Sequence, residues 1–170
     1  VINLLYLYQK ANHPQGTKRF LALLSAQELE KFEQNSLFLE QRGQFYWQQK
    51  QLQSAQRDYE HALALAPQQS RLLQGLVGIL TEQNNNTPLK QLLVAADGAA
   101  KRNPSLWQTW ALAWLHLQQP MRALPFQQAY HRIRPQDALA SLTLADILAA
   151  TGSEDAAATL RKTVWQQRDT

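Results

Sequence analysis

Residues 36–69 read SLFLEQRGQFYWQQKQLQSAQRDYEHALALAPQQ. Leu39, Gly43 and Tyr46 fall at spacings of four and three, which places them on one face of a helix. Ala55, Tyr59 and Ala62 repeat the spacing in a second helix, with the small and large residues exchanged. Pro67 closes the unit, because a proline there cannot continue the hydrogen-bond ladder. Two helices and a turn in this length form a unit that cannot bury its apolar stripe alone, so neighbouring units must stack on it.

Working outward, the same register returns. In residues 70–103, Leu73, Val77 and Leu80 take the places of Leu39, Gly43 and Tyr46, and Leu89, Leu93 and Ala96 those of Ala55, Tyr59 and Ala62. Thr87 as N-cap with Pro88 as first helical residue predicts the start of its second helix. In residues 104–137, Asn103 caps, Pro104 starts a helix, and Trp107, Trp110, Ala111 and Trp114 follow on one pattern. Pro120 opens the next helix and Ala123 fills its small position. Pro135 lies 68 residues after Pro67, two full periods. Residues 138–170 form a last pair, with Leu144, Ala145 and Leu148 in one helix and Ala157, Leu160 and Val164 in the other. Ser153 caps that helix ahead of Glu154 and Asp155, where the helix dipole favours acidic side chains. Ser36 is the expected cap of the helix over 36–50.

Residues 1–35 are a degenerate helical pair. Ile2, Leu4, Leu5, Leu7 and Tyr8 give the first helix a wide apolar face, and Asn12–Gly16 form a turn. Phe20, Leu23 and Leu24 fall on one side of the second helix, and Ser25 with Glu28 predicts a capping box. The chain opens at Val1 directly on this apolar pattern, which reads as a fragment of a longer protein. The whole, 1–170, is read as a single all-α repeat domain.

Composition narrows the function. The chain has 170 residues, 45% hydrophobic and 18% charged, with six glycines and seven prolines, as a helical globular chain should. Its 24 glutamines favour helices and solvate a surface without adding charge. The net charge of +4 is mild, and nucleic-acid binding would want a denser basic stripe with stacking aromatics. Between Asn84 and Gln136 the basic residues Lys90, Lys101, Arg102, Arg122, Arg132 and Arg134 face only Asp97, an excess that reads as a solvated face, with an acidic partner as the alternative. Cysteine is absent, and no apolar run reaches membrane-spanning length. His13, His61, His116 and His131 are dispersed, without metal-ligand pairing. No nucleophile elbow or phosphate loop occurs, and carboxylates such as Asp58 beside Arg57 read as surface groups. No enzyme, cofactor or metal is therefore expected.

The spacing in residues 36–137 resembles that of tetratricopeptide repeats. The resemblance implies a right-handed superhelical solenoid of antiparallel helix pairs, with a structural signature of Leu39, Gly43, Tyr46, Ala55, Tyr59, Ala62, Pro67, Trp107, Ala111, Trp114, Ala123 and Pro135. The small residues let helices approach, and Tyr46, Tyr59, Trp107 and Trp114 fill the gaps around them. It further implies a concave groove lined by the first helix of each repeat. The groove positions that would bind a partner are Glu40, Gln44, Trp47 and Gln48, then Arg71 and Gln74, then Gln108 and His116. Gly78 would give close ligand approach or relieve crowding against Trp47 or Trp110, and Leu139, Leu142, Ala149 and Ala150 would make an apolar inner wall. The lysine and asparagine set with which similar proteins clamp the terminal carboxylate of heat-shock chaperones is missing. The amide-rich middle of the groove suits an extended peptide backbone or a polyhydroxylated chain; Trp47 adds a stacking face to it or packs against the degenerate first pair.

Residues 107–165 are also similar to the periplasmic repeat region of bacterial outer-membrane proteins that export exopolysaccharide, of the Pel and cellulose type. The similar features are the W-x2-W-A-x2-W helix, R-A-L-P at 122–125, L-A-D-I-L-A-x-T-G at 144–152 and L-R-K-x-V-W at 160–165. This resemblance implies a periplasmic, biofilm-related scaffold within a larger outer-membrane protein. Its partner would be a protein such as a polysaccharide-modifying enzyme, with no nucleic acid and no membrane insertion of these residues. A direct carbohydrate-polymer guide and a pilus or cytochrome assembly factor are the other readings.

Overall fold

The computed structural model describes residues 2–11 and 13–168; Asn12 and the side chains of Ile2, Asn3, Gln167 and Arg168 lie outside the described residues. The described residues fold into twelve α-helices. They are α1 (Ile2–Lys10), α2 (Pro14–Leu23), α3 (Ala26–Phe32), α4 (Ser36–Gln48), α5 (Leu52–Leu65) and α6 (Ser70–Glu82), then α7 (Asn86–Ala95), α8 (Asp97–Arg102), α9 (Trp107–His116), α10 (Pro120–Ile133), α11 (Ala138–Ala150) and α12 (Glu154–Arg168). They form two compact units, Val1–Asn84 and Asn85–Thr170. The strongest helix packing is α4 on α5 in the first, and α9 on α10 and α11 on α12 in the second.

The 34-residue period is written into the backbone. Lys50, Asn84, Gln118 and Gly152 all have positive φ, at 59°, 53°, 55° and 88°. They occupy the same place in four successive turns. At three of them the next residue's N–H reaches five residues back: Gln51 to Tyr46 at 2.9 Å, Gln119 to Trp114 and Ser153 to Leu148 at 2.8 Å. That bond satisfies a carbonyl of the last helical turn and fixes the angle at which the second helix returns. The pair at 138–170 is therefore in register with the other three.

The helix starts depart from the expectations in detail. Asn35, not Ser36, caps α4, its side chain accepting from the Phe38 N–H at 3.0 Å. The left-handed residue at 84 sets the start of α7 at Asn86, matching Leu52 and Pro120 in the neighbouring repeats. Thr87 thus lies inside the helix, and Pro88 remains in the first turn, where its missing N–H has no intrahelical partner to lose. This second helix is broken at Ala96, just ahead of the weak helix formers Asp97 and Gly98. Asn103 caps as expected, but Pro104–Leu106 make one 3-10 turn before α9 begins. Both halves of the Ser25–Glu28 capping box are present.

Burial sorts the signature residues. Leu39, Gly43, Ala55, Tyr59, Ala62, Ala111, Trp114 and Ala123 are buried, while Pro67 and Pro135 are exposed at helix ends. Tyr46 and Trp107 are half-buried rather than gap-filling. Trp107 stands at the very start of α9, and its Nε1 donates to the Lys101 carbonyl. Trp110, three residues on, takes the interior place and is fully buried, its Nε1 donating to the Leu93 carbonyl. In the degenerate first pair Leu5 and Thr17 are buried, whereas Leu4, Leu7 and Leu23 are exposed. The apolar side expected for α2 is not covered at Leu23.

Glycine matters most around Tyr59. A Cβ on Gly43 would lie 2.8 Å from the Tyr59 ring, and one on Gly75 only 2.0 Å from it. The ring fills a slot between α4 and α6 that exists only because both positions lack side chains. Gly75 is absent from the repeat pattern.

Candidate functional site

In the first unit the groove candidates come from α4 and α6. On α4, Glu40, Gln44, Trp47 and Gln48 recur at intervals of four, three and one, so they share one side of the helix. On α6, Arg71, Gln74, Gly78 and Glu82 do the same at intervals of three, four and four. The structure brings the two rows together. Arg71 Nη2 lies 3.3 Å from Glu40 Oε2 near the start of both helices. Toward their ends the Trp47 ring edge sits where a Gly78 side chain would be, 2.6 Å from its ideal Cβ. There the Trp47 Nε1 donates to Glu82 at 2.5 Å, and Lys50 Nζ donates to the same carboxylate at 2.6 Å. Gly78 therefore relieves crowding against Trp47, and Trp47 packs on α6 rather than on the degenerate first pair. Tyr59 meets Trp47 edge-on, with ring centres 6.4 Å apart.

The electrostatics of this face are uneven. Glu40 is 8% exposed, and burial pushes its carboxyl above the ordinary value of 4.5 against the pull of Arg71. Its Oε2 has no aligned hydrogen bond, since the 3.3 Å contact with Arg71 is longer than a charge-assisted bond of about 2.7–2.9 Å. Burial, with the Glu40 charge adding to it, pushes the Tyr59 hydroxyl up to about 12. Glu82, at the other end, is held below the ordinary range by its hydrogen bonds to Lys50 and Trp47. Gln44 and Gln48 are exposed between and beyond these anchors, and Gln74 is half-buried.

Gln108 and His116 lie in the second unit on α9, both half-buried, on the helix that also exposes Leu112. On α11, Leu139 is 70% exposed, Ala150 is exposed, and Leu142 and Ala149 are half-buried. Asp146, between them, is bound to Arg161 at 2.7 Å.

One buried polar cluster reverses a sequence reading. Asp58 is not a surface partner of Arg57. It is 6% exposed and receives two hydrogen bonds from Arg42, both at 2.7 Å, while Arg42 also reaches Glu33 at 2.9 Å. Burial works against the Arg42 charge, but these bonds outweigh it and hold the guanidinium above its usual range. The two residues lie on different helices sixteen positions apart, so no local spacing pairs them. The histidines are spread: His13 caps α2 through Nδ1, and His131 Nδ1 lies 3.2 Å from the Ser141 hydroxyl. Among the described residues no three His, Cys, Asp or Glu gather as a metal site would need, and no helix is long and apolar enough to cross a membrane.

Known proteins agree with the repeat reading. No curated protein matches the chain. Among solved structures, MamA residues 41 to the end from Desulfovibrio magneticus RS-1 is similar with a TM-score of 0.78 and 16% identity, over 99% of this chain and 93% of that one. A further MamA crystal structure gives 0.79 at 12% identity, over 99% and 90%. Pseudomonas aeruginosa PilF gives 0.73 at 20% identity, covering 97% of this chain and 73% of PilF. Likeness at these identities speaks for the fold, a solenoid of helix pairs. The tetratricopeptide repeat family itself matches residues 1–170, the ends included. With the left-handed turn residue recurring four times at the repeat's own period, the chain belongs to the tetratricopeptide repeat family.

Proposed function

We propose that the chain is a non-catalytic scaffold that holds a protein partner in a bacterial envelope assembly, such as periplasmic exopolysaccharide export at the outer membrane. Tetratricopeptide repeat proteins generally bind protein partners and are generally not enzymes. The observation that carries the binding reading is Glu40. A buried carboxylate costs stability unless it is fully hydrogen-bonded. Here one oxygen is met only by a long contact from an arginine whose side chain is 66% exposed. Arg71 can swing outward, leaving Glu40 to accept an N–H from a partner while Gln44 and Gln48 bond its backbone. Amide side chains donate and accept at once, which suits an extended peptide. Trp47 favours the peptide over the polysaccharide alternative, because its ring edge is engaged at Gly78 and its N–H by Glu82, while Tyr59 lies perpendicular to it with ring centres 6.4 Å apart. The envelope setting rests on the resemblance of residues 107–165.

The test is a photo-crosslinking amino acid at Gln44 or Gln48, both exposed, in the full-length protein in its native cell. Crosslinks to one periplasmic protein of the polysaccharide machinery are expected, lost on Glu40→Ala. Crosslinks confined to cytoplasmic proteins would refute the setting. Quenching of tryptophan fluorescence by an anionic or cationic polysaccharide, with no protein crosslinked, would refute the peptide reading.

A further inference from the structure

The second unit carries a groove that the repeat pattern does not ask for. Two adjoining cavities, of about 730 Å³ and about 370 Å³, share Val94. The larger is lined by α7 and by the turn between α9 and α10, including Lys90, Ala95 and Leu117. The smaller runs along α10, lined by Met121, Arg122, Pro125 and Phe126 together with Asp97 and Lys101 of α8. Val94 is 52% exposed and Met121 69% exposed.

The chain supplies its own control for these positions. Leu117 stands where the two preceding repeats have Gln49 and Gln83. Met121 stands where they have Gln53 and Thr87, and Val94 stands where the flanking repeats have Glu60 and Gln128. The template therefore assigns all three positions to polar side chains. Three independent departures to apolar residues converge on one groove, which a solvated face does not require. The charges around it are one-sided as well. Lys101 is paired with Asp97 at 2.7 Å. Lys90 and Arg122 have no carboxylate in ion-pair reach among the described residues, and the Arg122 guanidinium instead lies 4.9 Å from the centre of the Trp114 ring.

We propose that this groove is a second docking surface, for a short acidic segment of a partner protein that places large apolar side chains against Val94, Leu117 and Met121. Its carboxylates meet Lys90 and Arg122 at the rim, so the surface combines an apolar floor with a basic edge. The site is separate from the α4–α6 face and does not depend on its reading.

A random peptide library displayed on phage, selected on the immobilised chain, tests the proposal. Enriched peptides should combine Asp or Glu with Leu, Ile or Phe. Their affinity should fall about tenfold or more in Val94→Glu with Met121→Gln, as expected when central apolar contacts are lost. These substitutions restore the chain's own repeat residues, so circular dichroism and melting should stay unchanged. Lys90→Glu should weaken acidic peptides and spare neutral ones, while Gln44→Ala should alter neither. Enrichment of basic or uncharged peptides, or affinity unchanged in the Val94/Met121 variant, overturns the proposal. So does concentration-dependent self-association that this variant abolishes, since the face would then belong to a second copy of the chain.

Discussion

The two units fill one template in opposite ways. In the first, Arg42 on α4 and Asp58 on α5 form a buried ion pair at 2.7 Å. At the equivalent positions of the next two repeats the chain has Leu76 with Leu92 and Trp110 with Phe126, and in the last repeat Leu144 with Leu160. Trp110 and Phe126 are buried, in the second unit, with no charge to neutralise. A repeat thus tolerates either solution at this junction. The ion pair adds specificity of pairing between α4 and α5, at a desolvation cost that an apolar pair does not carry. The same contrast holds for the Tyr59 position. Tyr59 needs Gly43 and Gly75, whereas its counterpart in the second unit is the smaller Leu93, which is fully buried.

Breaking the ion pair on one side has the largest expected effect. Asp58→Ala leaves Arg42 buried without its main partner and should cost about 3–5 kcal/mol, read by urea unfolding. Replacing both, Arg42→Leu with Asp58→Leu, copies the second repeat and should be neutral or stabilising by about 1–4 kcal/mol. A double variant as unstable as the single one would mean that the pair is required by the packing and not merely permitted.

Gly75→Ala comes next. The new methyl would meet the Tyr59 ring, so it should lose about 1–3 kcal/mol through overpacking, despite alanine's better helix propensity. Tyr59→Leu, the Leu93 solution, should make Gly75→Ala tolerable, and a double-mutant cycle measures that coupling. Additive effects would show that the slot is not what constrains Gly75.

Smaller effects are expected at the turns. Gln118→Gly should raise stability by about 0.5–1 kcal/mol, because the left-handed conformation costs a side-chain-bearing residue more than glycine. Gly152→Ala should lose a similar amount although its Cβ would meet nothing within 4 Å. Equal melting temperatures in both variants would remove the backbone from the account.

The smallest effect is one of pH. The folded Glu40 carboxyl titrates above the ordinary 4.5, so the folded state binds this proton more readily than the unfolded state. Its contribution to stability is full below 4.5 and is lost as pH rises through the raised value. Glu40→Gln should therefore gain on the parent chain with rising pH in that window, and the two melting curves should draw together in acid. Glu82 runs the other way: its contribution is present above 4.5 and is lost as pH falls through its depressed value.

The helix pairs and the register were legible because a 34-residue repeat imposes the same local problem several times. Gly43, Ala111, Pro67 and Pro135 answer it with residues whose size or missing N–H leaves little choice. Capping was less legible, since Asn35 and Ser36, or Asn85 and Thr87, lie within two positions of each other and have similar chemistry. The left-handed turn residue escaped the sequence reading because three of its four instances, Lys50, Asn84 and Gln118, are not glycine.

What the sequence by itself determined is the period, the all-α class and the rows of residues that each first helix presents, because these follow from spacing along a helix. Tertiary structure alone decided which members of those rows meet. Glu40 and Arg71, Trp47 and Glu82, and Arg42 and Asp58 are each joined across helices, and Val94 reaches Met121 only through the shared groove. Burial then set their chemistry, by leaving a carboxylate half-satisfied at one face and apolar side chains uncovered at another. Neither fact resides in a local pattern, because both depend on what a second helix brings to the first.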